Sequence, residues 1–580
     1  MLPLTLADPM ATRRVLFAAT FVLAACETRP PAEPASLVLR NGKVVTVDAA
    51  MPEAQAIAVS GYTIVAVGTN DEIERYIGPN TEVIDLNGRL ATPGFIEGHG
   101  HFMGLGRSKM ILELADVKNF DDIVAMVRDA VARAQPGEWI MGRGWHQEKW
   151  DRVPQPNVEG VPLHAALDSV SPNNPVLLTH ASGHAAFANG AALRAAGVDR
   201  RTPNPRGGEL VKDGAGNPTG LLRETAQGLV SSAASRNDRQ AEEVYAERRQ
   251  QVQLAGREAL DNGVTSFQDA GSSFEIIDFL KTLEERNELP VRLYVMVRGV
   301  PPEELDARLD SYRMEPAGND YLTVRSIKQS IDGALGPHGA WLLQPYADMP
   351  GSAGLNTTPL DRIEQISRIA FNHGFQMNIH AIGDRGNREV LNIYEKIFAE
   401  DTTRKDLRWR IEHSQHLHPD DVRRFAQLAV VASMQCNHAT SDGPWVFARL
   451  GPERARSGAY VWRDLMNAGV TINNGTDAPV ERINPVANFY SCVTRNQLDG
   501  TAFFADQKMT REEALRAYTL NNAWAAFEEN IKGSITVGKL ADVTVLDRDI
   551  MTIPDAEIPT TKVDFTIIGG EIRFRRESAN

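Results

Sequence analysis

Ala91-Thr92-Pro93-Gly94-Phe95-Ile96-Glu97-Gly98-His99-Gly100-His101 is an apolar approach ending in two histidines separated by one glycine. In an extended strand alternate side chains share a face, so His99 and His101 project to one side, as two ligands of a single ion must. Pro93 and Gly94 punctuate the entry to the strand, while Gly98 and Gly100 leave room for another group to approach the backbone. A histidine pair of this spacing also arises by chance in loops; the metal reading gains its weight from matching residues that follow in a fixed order.

Downstream of this strand, apolar segments alternate with helical stretches, the pattern of a parallel sheet with crossover helices. The segments are residues 264–269, 291–297, 323–331, 375–382, 408–413, 430–435 and 470–476, which with the histidine strand make eight. The expected fold class is therefore α/β, a TIM (β/α)8 barrel over residues 91–530 with its polar residues at the carboxyl ends of the strands. The gap between the first two strands is larger than one helix needs, so an inserted subdomain is expected over about 105–260. It carries Trp139, Trp145, Trp150, the run Thr179-His180-Ala181-Ser182-Gly183-His184 and a glycine-rich stretch at 206–220. Its tryptophans either line a pocket or fill a small core.

Upstream lie short strand candidates at 37–40, 43–47, 56–59, 63–67 and 81–86, the first two separated by Asn41-Gly42, which reads as a hairpin turn. Further candidates at 533–535, 541–546 and 563–570 supply partners, so residues 37–90 and 531–580 are expected to form one small composite β-sandwich.

The first 26 residues stand apart. Arg13 and Arg14 precede an apolar run at 15–25, too short to span a bilayer, which closes on Leu23-Ala24-Ala25-Cys26. This resembles a bacterial lipoprotein signal, which implies cleavage before Cys26, lipid on its sulfur, and an exported, membrane-anchored protein on the periplasmic or cell-surface side. Residues 27–36 are proline-rich and suit a tether. The remaining cysteines, Cys436 and Cys492, either pair or serve as small buried hydrophobes. With 580 residues, 42% hydrophobic and 23% charged, the chain has the composition of a folded soluble protein. A net charge of -14 argues against a nucleic-acid partner.

Four further positions complete the constellation. Lys328 lies in an alternating run that puts Ser326, Lys328 and Ser330 on one face. A lysine facing a barrel interior needs a partner or a chemical change, and carbamylation by carbon dioxide would make it an anion able to bridge two ions; without its neighbours it would read as a snorkelling surface lysine. His380 and His413 each end an apolar or alternating run, at a strand's carboxyl end. Asp477 follows Gly475-Thr476, where it can bind a metal and take a proton from water, or can cap the next helix.

The segments Pro93-Gly94-Phe95-Ile96-Glu97-Gly98-His99-Gly100-His101, Lys328-x-x-x-Asp332-Gly333-x-Leu335-Gly336, His380-Ala381-Ile382-Gly383-Asp384-Arg385, Glu412-His413 and Gly475-Thr476-Asp477 resemble the amidohydrolase superfamily, within it amidohydrolase family 3, the N-substituted formamide deformylase-like branch. The resemblance runs from about 37 to 549 and ends in Gly538-Lys539-Leu540-Ala541-Asp542. It implies a metal-bearing barrel and makes His99, His101, Lys328, His380, His413 and Asp477 the metal-site residues. The chain departs from the family pattern at Pro337-His338, Ser182-Gly183 and Cys436-Asn437-His438, none of which is a proposed ligand.

The reading that follows is a metal-dependent hydrolase of an amide-type, non-peptide carbon–nitrogen bond, using one or two divalent ions, zinc by preference, with a carbamate on Lys328. Asp477 acts as general base on metal-activated water and returns the proton to the leaving nitrogen. Trp145, His184 and His438 are weaker candidates for substrate contact. The expected partner is a small amide-type molecule; membrane contact is through the lipid anchor alone, and a homo-oligomer stays open. The alternatives are a mononuclear deaminase-like hydrolase with unmodified Lys328, or a non-catalytic surface binding lipoprotein on the same scaffold.

Overall fold

The computed structural model describes residues 32–235 and 240–577. Eight strands form the central sheet: β1 (Phe95–Gly100), β2 (Val264–Ser272), β3 (Arg292–Val297), β4 (Leu322–Ser330), β5 (Gln376–Ala381), β6 (Arg410–His413), β7 (Val431–Met434) and β8 (Ile472–Asn474). They pair in parallel in sequence order, and the sheet curls into a nearly closed barrel. The register sets Lys328 opposite Asn378 and Ser330 opposite His380, so the functional rows of β4 and β5 rise together.

The seam between β8 and β1 is made mainly through side chains. Thr476 N donates to Glu97 Oε1 at 2.6 Å, while Thr476 Oγ1 and Tyr518 OH donate to Glu97 Oε2 at 2.9 and 2.5 Å. Asn522 Nδ2 bridges the carbonyls of Ile96 and Asn474. The space at Gly98 serves this seam, because a Cβ there would lie 2.2 Å from Asn522 Oδ1 and 2.5 Å from Asn474 O. A further bond, Asp477 N to His99 O at 2.7 Å, places the last candidate ligand beside the first.

Both ends of the chain build a two-layer β structure. One sheet runs Thr63–Gly68, Ala56–Ser60, Leu37–Arg40, Glu82–Asp85; the other runs Glu571–Arg575, Val563–Ile568, Val543–Leu546, Leu90–Pro93, Lys43–Val45, Glu53–Ala54. Leu37, Leu39, Val44, Val543, Val545 and Ile567 share one apolar core between them. Asn41-Gly42 is not a hairpin turn, because Leu37–Arg40 and Lys43–Val45 belong to different sheets. Packing drives the difference: Leu39 and Val44 enter one shared core from different sheets instead of standing side by side in one ladder. Residues 533–535 form no strand; Ile535 joins through a single bond to Thr46 O. The expected tether ends early, since Ala35 is buried and donates to Tyr76 O. The signal segment and Cys26 lie outside the described residues.

Between β1 and β2 the chain forms a six-stranded sheet in the order Gly208–Lys212, Pro218–Glu224, Ala185–Ala188, Val176–His180, Ile140–Trp145, Leu112–Glu113. The helix Ala241–Asp261 then returns the chain to β2. Cys436 and Cys492 form a disulfide that ties the helix Cys436–Leu450, after β7, to the helix Pro485–Thr494, after β8. Of the two readings left open for these cysteines, pairing is the one adopted. Among the described residues no helix is long and apolar enough to cross a membrane.

Candidate metal centre

His99 is fully buried at the top of β1, and its Nδ1 meets Glu412 Oε2 at 2.5 Å. Burial lowers the His99 pKa to about 4, with the Lys328 charge adding to the effect. Burial pushes the Glu412 carboxyl up, but His99, Arg410 and Lys328 more than reverse it and hold it at about 2. A neutral imidazole donating from Nδ1 to a carboxylate leaves the Nε2 lone pair free for an ion. That atom faces Lys328 Nζ at 3.5 Å and Asp477 Oδ1 at 3.6 Å.

Asp477 gathers the other ligands. Its Oδ1 lies 3.2 Å from His101 Nε2, and its Oδ2 lies 4.0 Å from His413 Nδ1. Burial opposes ionisation of Asp477, yet the surrounding histidines hold its pKa well below the ordinary value. His413 Nδ1 bonds Gln435 Oε1 at 2.9 Å, which fixes that ring in turn. His380 stands 4.5 Å from His413, ring to ring, and among the described residues its buried Nε2 has no hydrogen-bond partner. Both His413 and Asp477 have left-handed backbone, φ 76 and 58, conformations that cost non-glycine residues energy and cluster at functional sites.

Lys328 is 1% exposed. Burial and the charge of Arg298 lower its pKa to about 8, which favours the neutral amine. Asp332, four residues on, clamps loops: its carboxylate accepts from Ile382 N, Gly383 N and Trp341 N, and Oδ1 lies 3.5 Å from His380 Nε2.

The six positions assigned by resemblance thus converge. Donor atoms of His99, His413 and Asp477 lie within 4.8 Å of one another, a set that could hold a metal ion. The orphaned His380 Nε2, the neutral His99 and the ionised Asp477 all fit a divalent cation, which wants deprotonated nitrogen and oxygen donors.

A cavity opens beside this cluster, and His146, Ser182, His184, His438 and Trp445 are among its lining residues. His184 Nδ1 meets Glu224 Oε2 at 2.7 Å, and its ring lies 4.8 Å from His380. Gln415 Nε2 donates to His438 Nδ1 at 2.9 Å, so the His438 proton sits on Nε2, which among the described residues has no hydrogen-bond partner and lies 4.0 Å from Asp477 Oδ2. Trp145 does not line the cavity. It is 2% exposed, stacks on Trp150, packs with Phe187 and donates from Nε1 to Leu178 O, so it belongs to the core of the insertion. His338 pairs with Asp348 and packs on Tyr346.

Several participants had no local signal. Glu412 was visible only as part of a dipeptide, and Gln435, Gln415 and Glu224 read as ordinary polar residues. Only the fold brings them to the histidines they orient.

The chain matches the model described as Amidohydrolase family over residues 82–574. It is 32% identical over 532 residues to Protein LONG AFTER FAR-RED 3 of Arabidopsis thaliana, spanning 90% of this chain and 88% of that one. It is 29% identical over 550 residues to N-substituted formamide deformylase of Arthrobacter pascens, spanning 93% and 98%. Among solved structures, an uncharacterized metal-dependent hydrolase from Pyrococcus horikoshii superposes with a TM-score of 0.70 at 25% identity, over 90% of this chain and 99% of that one.

Proposed function

This chain belongs to the amidohydrolase family, and from that premise we propose that it is a metal-dependent hydrolase cleaving an amide-type, non-peptide carbon–nitrogen bond. The observation that carries the reading is the convergence of His99, His413 and Asp477 donors within 4.8 Å at the carboxyl end of the barrel. The deformylase relative supports the bond type, and the Pyrococcus hydrolase supports the need for metal.

His99, His101, His380, His413 and Asp477 would hold the metal, together with Lys328 as its carbamate if two ions bind; zinc suits this nitrogen and oxygen set. The ion would supply a Lewis acid and lower the pKa of a water. Asp477 takes the proton of the attacking water at its carboxylate and returns it to the leaving nitrogen. Glu412 and Gln435 keep His99 and His413 in the tautomers the site requires. His438 Nε2–H donates toward the oxygen on which charge develops, and His184, steadied by Glu224, contacts the substrate.

Asp477→Asn should lower turnover of formamide and acyl-amide substrates by about a thousandfold or more while the folded content by circular dichroism is unchanged. A variant that keeps its rate would remove Asp477 from this role. A single-ion, deaminase-like hydrolase is the second reading, and it is favoured by the compact His99–His413–Asp477 group, which does not need Lys328. Elemental analysis decides: Lys328→Ala loses about half of the bound metal if two ions are bridged, and none if one ion suffices. We also read residues 1–26 as an export signal with lipid attachment at Cys26, which the mass of the mature N-terminal peptide tests.

A further inference from the structure

His146 follows the strand Ile140–Trp145 of the insertion and caps the short turn Gln147–Lys149, where its Nδ1 accepts from Glu148 N at 3.2 Å. The residue is 8% exposed, and its ring lies 4.5 Å from that of His180 and 5.7 Å from that of Trp445. Burial, with the charges of His180, Lys149 and Arg449, holds its pKa well below 6.5, so the imidazole is neutral. A neutral ring that accepts at Nδ1 carries its proton on Nε2.

That Nε2–H has no use within the protein. Among the described residues no hydrogen bond reaches it, and it is not sealed in as Trp445 Nε1 is. It opens on the cavity beside the metal cluster: His146 and Gly336 both line that cavity, and a Cβ built on Gly336 would stand 3.4 Å from Nε2. The missing side chain at Gly336 therefore leaves the donor uncovered, and the Gly336 backbone is not left-handed, so conformation does not demand glycine there. The neighbouring polar groups are already engaged. His180 bonds Ser182 Oγ at 2.8 Å and Gln147 Oε1 at 3.1 Å, while Arg449 bonds Glu148, Asp348 and Gly336 O.

The charges that line the cavity outside the metal cluster decide what kind of acceptor fits. Lys149 stands 3.8 Å from Glu481, and Asp442 accepts from Tyr460 OH at 2.6 Å. Two carboxylates against one ammonium that is already answered disfavour an anion, whereas an uncharged imidazole donor matches an uncharged oxygen. We propose that His146 is a specificity-determining residue whose Nε2–H donates to a second, neutral carbonyl oxygen of the substrate, apart from the bond that is cut. The site then selects amides that carry a further amide, ester or urethane group. The choice of scissile bond rests on the hydrolase reading; the hydrogen bond to the second carbonyl does not.

The test is calorimetric titration of the metal-loaded full chain with alkyl hydroxamates, which anchor on the metal, over a series of chain lengths. At each length three tails are compared: an N-methylamide, the alkene of the same shape, and a carboxylate. At one length or more the amide should bind about tenfold more tightly than the alkene, and that ratio should collapse toward unity in His146→Phe. Gly336→Ala, which keeps the imidazole but covers Nε2 with a methyl group, should collapse it as well. His146→Gln, which restores an N–H donor, should recover part of it. The assignment is overturned by a wild type without amide preference at any length, or by a preference that survives in both His146→Phe and Gly336→Ala. Equal losses for amide and alkene in His146→Phe would reduce the ring to a wall, and tighter binding of the carboxylate than of the amide would hand the tail to Lys149; either result also overturns it. Turnover of N-acyl amines, measured in parallel, separates the two readings. A His146-dependent preference without turnover keeps the carbonyl subsite and sinks the hydrolase reading; turnover without that preference does the reverse.

Discussion

At the scale of single residues, the site depends on which nitrogen of each histidine is left free. His99 is usable as a ligand because Glu412, 313 residues away, accepts its Nδ1 proton. Replacing Glu412 with Gln keeps an accepting oxygen but removes the charge that strengthens the bond. Metal affinity, followed by competition with a chelator, should fall by about tenfold to a hundredfold. Undiminished affinity would mean that the carboxylate serves folding alone. The histidines themselves were legible from the sequence because each ends a strand and matches a motif. Glu412, Gln435 and Gln415 were not, since an orienting role depends on a neighbour and leaves no periodic trace.

At the scale of elements, the helix Arg511–Ala517 shows how a surface feature supports the barrel seam. Thr510 and Glu513 form a capping box, and Arg463 grips the Glu513 carboxylate through Nη1 and Nη2 at 2.9 and 2.6 Å. This helix leads into Leu520–Ala525, which carries the Asn522 that bridges β1 and β8. The Arg463 hydrogen bond, against a smaller opposing effect of burial, lowers the Glu513 pKa from 4.5 to about 2. A depressed carboxylate stabilises the fold fully above its unfolded pKa and loses that contribution as pH falls toward the folded value. Glu513→Gln should therefore cost about 1 kcal/mol near neutral pH, a figure reduced for partial exposure, in urea denaturation. The gap between variant and wild type should narrow progressively from about pH 5 downward; a gap independent of pH would assign the effect to helix capping by shape. All eight barrel strands were readable because apolar runs bounded by turn residues are a local signal. Asn41-Gly42 misled for the same reason: its turn chemistry is local, whereas the choice between one sheet and two is made by the core.

At the scale of the molecule, the barrel and the two-layer β structure are joined by a buried ion pair. Arg292, 1% exposed at the start of β3, bonds Asp542 through Nε at 2.8 Å and Nη2 at 3.1 Å, with Asn319 taking further donors. This gives a physical task to the aspartate of the Gly538-Lys539-Leu540-Ala541-Asp542 motif. Asp542→Ala would strand the guanidinium in the interior, and the expected loss is about 3 kcal/mol or more in denaturant unfolding. A loss below about 1 kcal/mol would show that Asn319 and the backbone carbonyls suffice.

The sequence by itself determined the parallel eight-strand order, the strand-end placement of His99, His101, Lys328, His380, His413 and Asp477, and the pairing of N-terminal with C-terminal strands. Those features follow from alternation, strand length and motif order, all of which are written over a few neighbouring residues. Only the tertiary structure decided that Cys436 pairs with Cys492, that Trp145 fills a core while His146 faces the cavity, and that Glu97 and Asn522 close the barrel. Each of these depends on contacts between residues far apart in the chain. Burial and partnership are properties of the packed molecule, and identical residues in identical local patterns can receive either one.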